Sequence, residues 1–239
     1  MSRQLLEEPV CVVDVETWNP GGGRHQLIEI AAMVVDIYGQ PVRVYLGRDG
    51  SSAGSGEPVM YQRLCRPVDL PPLNRWRSIR FHNALDPRWL YATGVTGEAY
   101  VVQDFAEWHF GCALSAPLVA WNNSFDRAAL RGALRLSGSD GQLNWGRCLM
   151  LEATEVLKLS RADGRIRRKA PKEEIARQLF GGPLGVESQL KRTAHSVGWT
   201  GPLTMHLALP DVLLEFAIMV ELQRRALPTP TMNGRQSSL

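Results

Sequence analysis

Cysteine is scarce in this chain of 239 residues: the four present (Cys11, Cys65, Cys112, Cys148) lie far apart and form no C-x-x-C pair. That spacing excludes a zinc site or a disulfide frame and reads as small core hydrophobes in a reducing compartment. Long apolar runs are missing. The most apolar late stretch, Val212 to Val220, carries Glu215 and is far shorter than the roughly 20 residues a bilayer span needs. The start, MSRQLLEEPV, has no signal-peptide core, because Glu7 and Glu8 interrupt it. A soluble cytoplasmic protein with no membrane partner is the expectation. Surplus charge is lacking too: Lys+Arg 27 against Asp+Glu 24 leaves +3, which permits an anionic partner without arguing for one. No internal repeat occurs. The glycines of Asn19-Pro20-Gly21-Gly22-Gly23 lack the G-x-G-x-x-G spacing and precede a strand rather than a helix, which excludes a phosphate-binding loop.

What is present is an ordinary globule, 44% hydrophobic and 21% charged, of a length that suits one large domain. Val10 to Val15 is nearly all apolar, as a buried central strand is, and Leu27 to Tyr38 is a second β-branched run. A Gly/Ser loop, Gly47 to Pro58, joins the continuation Val42 to Leu46 to a third strand, Val59 to Cys65, giving an antiparallel meander. Helical patterns follow over Glu98 to Leu114, Ser124 to Leu136, Cys148 to Leu159, Lys172 to Phe180, Val186 to Val197 and Pro210 to Arg225. Pro117 to Trp121 is a short buried strand. Strands first, then strands alternating with helices, predict an α/β fold: a mixed sheet flanked by α-helices. The domain is expected over 1–225, and 226–239 has the composition of a disordered tail.

Three separated segments carry acidic residues at element ends. Asp14-Val15-Glu16 closes the first strand, and residues i and i+2 of a strand share a face. Two such carboxylates repel unless a cation sits between them, and hard oxygen ligands suit Mg²⁺ or Mn²⁺. In Leu118 to Asp126 a buried strand runs into a polar turn, placing Asp126 in the first turn of a helix, where the dipole favours it. In His206-Leu207-Ala208-Leu209-Pro210-Asp211, Pro210 suits a first helical position, so Asp211 falls in the first turn and His206 on the approach. Taken singly, each is also what a solvated strand end or a surface helix entry looks like.

Their order and contexts together resemble the three motifs of the DEDDh exonucleases, the DnaQ-like branch of the RNase H-like superfamily: D-x-E, N-x-x-x-D and H-x-x-x-x-D. Leu27-Ile28-Glu29-Ile30-Ala31 is similar to that family's second strand, and Ala92-Thr93-Gly94-Val95-Thr96 to its short segment before the first long helix. A rival for the second motif, Phe81-His82-Asn83-Ala84-Leu85-Asp86, is followed at once by Pro87 and preceded by no buried strand, so Asp126 is preferred. Trp121 departs from the family, which often has His there.

The resemblance implies an RNase H-like sheet and a 3′–5′ exonuclease that releases nucleoside 5′-monophosphates. It implies two divalent cations, Mg²⁺ or Mn²⁺, about 3.5–4 Å apart. Asp14, Glu16 and Asp211 are then expected on the first ion, Asp14 and Asp126 on the second, and His206 as general base, work that suits an imidazole near neutrality. Thr17, Trp18, Asn19 and Asn122 are expected under the terminal nucleotide, with Trp18 either stacking on a base or buried. The basic run from Arg161 to Lys169, with Arg165 and Arg167, either tracks phosphates or is a solvated connector. Arg75, Arg77 and Arg80, interleaved with Trp76 and Phe81, carry the same two readings. The substrate is the 3′ end of DNA ahead of RNA, single-stranded or frayed, with a polymerase or repair partner and a homodimer both compatible. A 3′–5′ exoribonuclease of the oligoribonuclease or RNase T type, and a silent nucleic-acid-binding module, are the alternatives.

Overall fold

β1 (Val10–Trp18) is the hub of the sheet in the computed structural model, which describes residues 6–18, 25–44, 57–66, 90, 95–111, 113, 115–139, 142–159 and 170–227. Val10 to Val13 are buried, as a strand covered on both faces requires. β1 pairs antiparallel with β2 (Gln26–Val35) and parallel with β6 (Leu118–Ala120). β5 (Met60–Leu64) extends β2 antiparallel and β7 (Trp145–Cys148) extends β6 parallel, giving the order β5-β2-β1-β6-β7. The continuation of the second run is a separate two-stranded pair, β3 (Arg43–Val44) with β4 (Glu57–Pro58).

Six helices flank the sheet among the described residues: α1 (Glu98–Gly111), α2 (Asn123–Leu136), α3 (Leu149–Val156), α4 (Lys172–Phe180), α5 (Pro183–Ser196) and α6 (Ala208–Ala226). The α/β expectation, an antiparallel meander followed by parallel strands, is what the chain folds into. Strand alternation divides the core. Val10 and Val12 join α3, α4, α5 and α6 in one cluster, while Cys11, Val13 and Val15 join α1 and α2 in the other. α6 is buried on nearly every side from Ala208 to Leu222, so truncating a central residue such as Leu213 to Ala is expected to cost about 2–5 kcal/mol. No described helix is long and apolar enough to cross a membrane.

Several boundaries differ from the sequence pattern. β2 stops at Val35 rather than Tyr38, because the Asp36 carboxylate accepts the N–H groups of Tyr38 and Gln40 and folds a turn. α5 starts at Pro183, a favoured first helical position, rather than Val186. β7 was not expected: Trp-Gly-Arg-Cys is half exposed and alternates weakly. Ala226, placed in the tail by composition, closes α6, and residues from 228 onward lie outside the described set. The Gly/Ser loop and the Asp86 rival also lie outside it, apart from Glu57 and Pro58. Cys11, Cys65 and Cys148 are free thiols, the first two buried.

Candidate active site

Asp14 and Glu16 continue the β1 face that begins with Val10 and Val12, the face covered by α6. Pairing slips by one residue just there, from Glu16↔Glu29 to Thr17↔Leu27, leaving Ile28 as the extra residue of β2. Such a bulge re-aims side chains at a strand end. Asp211 enters from the first turn of α6 and is buried. The start of that helix is fixed from β2: a Glu29 oxygen accepts the Ala208 N–H at 2.9 Å, and its other oxygen accepts from Gln62 at 2.8 Å. A carboxylate there also suits the helix dipole. His206 precedes the helix in a left-handed conformation, φ 65°, with an exposed side chain.

Asp126 arrives from the opposite layer. α2 packs on the other face of the sheet, yet its first turn reaches around the strand ends, and Asp126 Oδ1 accepts the Val15 N–H at 3.3 Å. Asn122 is the N-cap residue, and its side-chain oxygen accepts from Ser124 Oγ at 2.8 Å. Asn123 ties β6 to β7: its oxygen accepts the Ala120 N–H, and its amide donates to the carbonyls of Gly146 and Arg147.

A lysine that sequence reading did not single out lies among these carboxylates. Lys172, at the start of α4, places Nζ 2.9 Å from Glu215, 3.4 Å from Asp211 and 3.5 Å from Asp14. Glu215, fully buried on α6, also accepts the Trp121 N–H at 3.0 Å. Trp121, where the family often has His, is buried and its indole N–H donates to the Ala170 carbonyl at 3.1 Å, two residues before Lys172. The available signal was Glu215 itself, an isolated charge in an apolar helix that has to be paired.

The cluster has more negative than positive charge. Burial first, then the charges of Asp14 and Asp211, push the Glu16 carboxyl up to about 9. Burial and Asp14 hold Asp211 at about 6 against the pull of Lys172. Asp126 is also raised, by burial and then by Asp14. Burial pulls the Lys172 ammonium down, but Glu215, Asp14 and Asp211 outweigh it and keep it charged. One buried oxygen each of Asp14 and Asp211 has no hydrogen-bond partner. Ligand atoms of Glu16, His206 and Asp211 all lie within 4.8 Å of one another. Orphaned hard oxygens in surplus negative charge fit a divalent cation.

Of the expected nucleotide contacts, Thr17 is half-buried with Oγ1 3.2 Å from His25 Nδ1, and Asn122 lies at the mouth of a groove along α2. Trp18 takes its buried alternative. It packs with Ile28 and Leu90 and is 6% exposed, which leaves no ring face for a base. Asn19, Arg165, Arg167, Arg75, Arg77 and Arg80 lie outside the described residues.

No protein-family model matches the chain, and no curated protein matches its sequence. Solved structures do match its fold. Cell-death related nuclease 4 superposes with TM-score 0.57 at 14% identity, covering 93% of this chain and 65% of that one. The nuclease domain of 3′hExo, a DEDDh family member bound to rAMP, gives 0.53 at 13%, covering 92% and 93%. E. coli exonuclease I in complex with a dT13 oligonucleotide gives 0.52 at 16%, covering 92% of this chain but 42% of that chain. The chain therefore spans under two thirds of the first and third of these relatives, and most of the second. Its fold is the DnaQ-like one of the DEDDh 3′-exonucleases.

Proposed function

We propose that this chain, built on the fold of the DEDDh 3′-exonucleases, hydrolyses the terminal phosphodiester at a nucleic-acid 3′ end and releases nucleoside 5′-monophosphates. The observation that carries the reading is the convergence of Asp14, Glu16, Asp126, His206 and Asp211 from β1, α2 and the start of α6 on one strand end. Asp14, Glu16, Asp211 and Asp126 are the residues that would hold two divalent ions, Mg²⁺ or Mn²⁺. Such ions supply Lewis-acid activation of water and charge for the leaving 3′ oxygen.

His206 takes the proton of the attacking water. Its exposed position on a bend before α6 lets the imidazole reach solvent, with a ring nitrogen within 4.8 Å of carboxylate oxygens of Glu16 and Asp211. Lys172, anchored by Glu215, offsets part of the repulsion between Asp14 and Asp211 and keeps both aimed inward. Thr17, next to Glu16 on β1, and Asn122, the N-cap residue of α2, would contact the terminal nucleotide.

DNA is the first substrate reading, in line with the oligonucleotide held by the exonuclease I neighbour. RNA is the second, favoured by the rAMP bound to the 3′hExo domain. A polymerase or repair partner and a homodimer extend the same reading, and neither rests on a residue of the site. The test is a degradation time course on 3′- and 5′-labelled single-stranded and duplex DNA and RNA. Shortening from the 3′ end with mononucleotide release is expected. Rapid cutting of circular single strands would overturn the exonuclease reading.

A further inference from the structure

α2 carries its positive charge on one side only. Asp126, Ala129, Leu130, Ala133 and Leu134 are buried, while Arg127, Arg131 and Arg135 recur every fourth residue along an exposed stripe. Like charges at that spacing repel and weaken a helix. Elsewhere the chain compensates such residues: Lys191 pairs with Glu187 and Arg225 with Glu221, each at i−4. On α2, among the described residues, none of the three arginines has an ion pair.

The stripe rims a groove. A cavity of about 760 Å³ runs between α2, β7 and α3, and a second of about 420 Å³ continues beside it. Arg127, Arg131, Arg135 and Trp145 line both cavities, and no described acidic residue lines either. The first cavity begins at Asn122, Asn123 and Ser124, the turn that delivers Asp126. Its helical wall is cut low by Ala128 and Gly132, and a Cβ built on Gly132 meets nothing within 4 Å.

We infer that this groove binds the sugar–phosphate backbone of the strand whose 3′ end enters the candidate active site. The inference rests on the proposed function for the identity of the strand; the groove and its charge stand apart from it. From Arg127 to Arg135 the helix rises about 12 Å. At the roughly 3.4 Å of axis per phosphate of a stacked strand, the stripe spans about three to four phosphates, and fewer of an extended one. Arginine suits them, with a planar fork of donors that stays charged at any working pH. The contacts are to backbone, so they set affinity and length dependence without reading sequence.

The test compares wild type with the triple variant Arg127→Gln, Arg131→Gln, Arg135→Gln, all solvent-exposed and not part of the core. Gly132→Leu serves as a second variant that blocks the groove without changing its charge. Binding of a fluorescein-labelled 20-nucleotide single strand is measured in EDTA, where no turnover complicates it, across a salt series. The triple variant is expected to bind at least ~10-fold more weakly, with the slope of log K against log salt lowered by about 2, three contacts at roughly 0.7 each. Gly132→Leu is expected to weaken binding with little change in slope. In parallel, kcat/KM for the 20-mer is expected to fall at least ~10-fold more than kcat/KM for a dinucleotide.

Unchanged affinity and slope in the triple variant would overturn the groove assignment, whether or not the protein cleaves. If the wild type cleaves neither substrate while affinity and slope still fall in the variant, the proposed reaction fails and the groove stands. Poly-glutamate bound as tightly as the oligonucleotide would overturn it in favour of an acidic protein partner.

Discussion

The strand end of β1 and the outer face of α2 carry opposite charge surpluses in opposite surroundings. At the first, Asp14, Asp211 and Glu215 share the Lys172 ammonium, and Glu16 and Asp126 lie within reach of its charge, mostly out of water. At the second, Arg127, Arg131 and Arg135 face solvent along a groove that no described acidic residue lines. Water screens the arginines, so they weigh little on folding and are free to meet a ligand. Burial denies the carboxylates that relief, which shows in the raised positions of Glu16 and Asp211. The same surplus is therefore a stability problem inside and a binding resource outside.

The largest expected effect tests the buried region through the divalent ions it would hold. Turnover is expected to vanish in EDTA and return with Mg²⁺ or Mn²⁺; full activity after exhaustive chelation would remove the metal-centred reading. Asp126→Ala is expected to abolish cleavage at saturating metal while leaving the fold intact, as checked by circular dichroism.

Next comes His206. Replacement by Ala is expected to lower kcat by about 10²–10⁴-fold with oligonucleotide affinity in EDTA unchanged. Near-wild-type kcat would assign the proton transfer to another group.

Lys172→Met leaves Glu215 buried without its cation, a change expected to cost about 3–5 kcal/mol in chemical denaturation. Adding Glu215→Gln, which keeps an acceptor for the Trp121 N–H, is expected to recover most of that loss. Failure of the double variant to recover would mean that Lys172 acts mainly through Asp14 and Asp211. Arg131→Gln on the outer stripe, by contrast, is expected to change stability by under about 0.5 kcal/mol.

A pH series in EDTA sharpens the contrast further. The Asp211 carboxyl is raised from 3.8 to about 6, so the folded protein holds a proton that the unfolded chain has released. Stability from this group is fully present below about pH 4 and is lost as pH rises through about 6; Glu16, raised to about 9, extends the decline. The melting temperature is expected to drop by roughly 6–12 °C over the Asp211 window, and divalent ions are expected to flatten the slope. A metal-free protein that gains stability between pH 4 and 6 would contradict this.

Ionic strength gives the smallest effect. Raising salt from 50 to 200 mM is expected to leave the denaturation midpoint of the metal-free protein nearly unchanged while weakening oligonucleotide binding steeply. Equal sensitivity of the two would erase the distinction between buried and exposed charge.

The contrast also separates what could be read from the chain. Asp14 and Glu16 were legible because strand alternation and a buried run ending in acids are local facts. Asp126 and Asp211 were legible because a polar turn and a proline mark helix starts within a few residues. The arginine stripe is equally local, i and i+4 on one helix, yet it meant nothing until β7 supplied the facing wall. That strand escaped notice because Trp145-Gly-Arg-Cys is a short edge strand with little alternation to detect.

Local periodicity, a product of backbone geometry, was enough for the sequence alone to determine the α/β order apart from β7, the strand and helix faces, and the acids that end on them. Only the tertiary structure decided how each charge is answered. Lys172 lies 158 residues from Asp14 and 43 from Glu215, and Glu29 caps a helix 179 residues away. It also decided that Trp18 is buried and that the groove begins beside Asp126. The physical reason is that burial and electrostatic partnership depend on distance in space, and packed layers bring together groups whose separation along the chain carries no periodic signal.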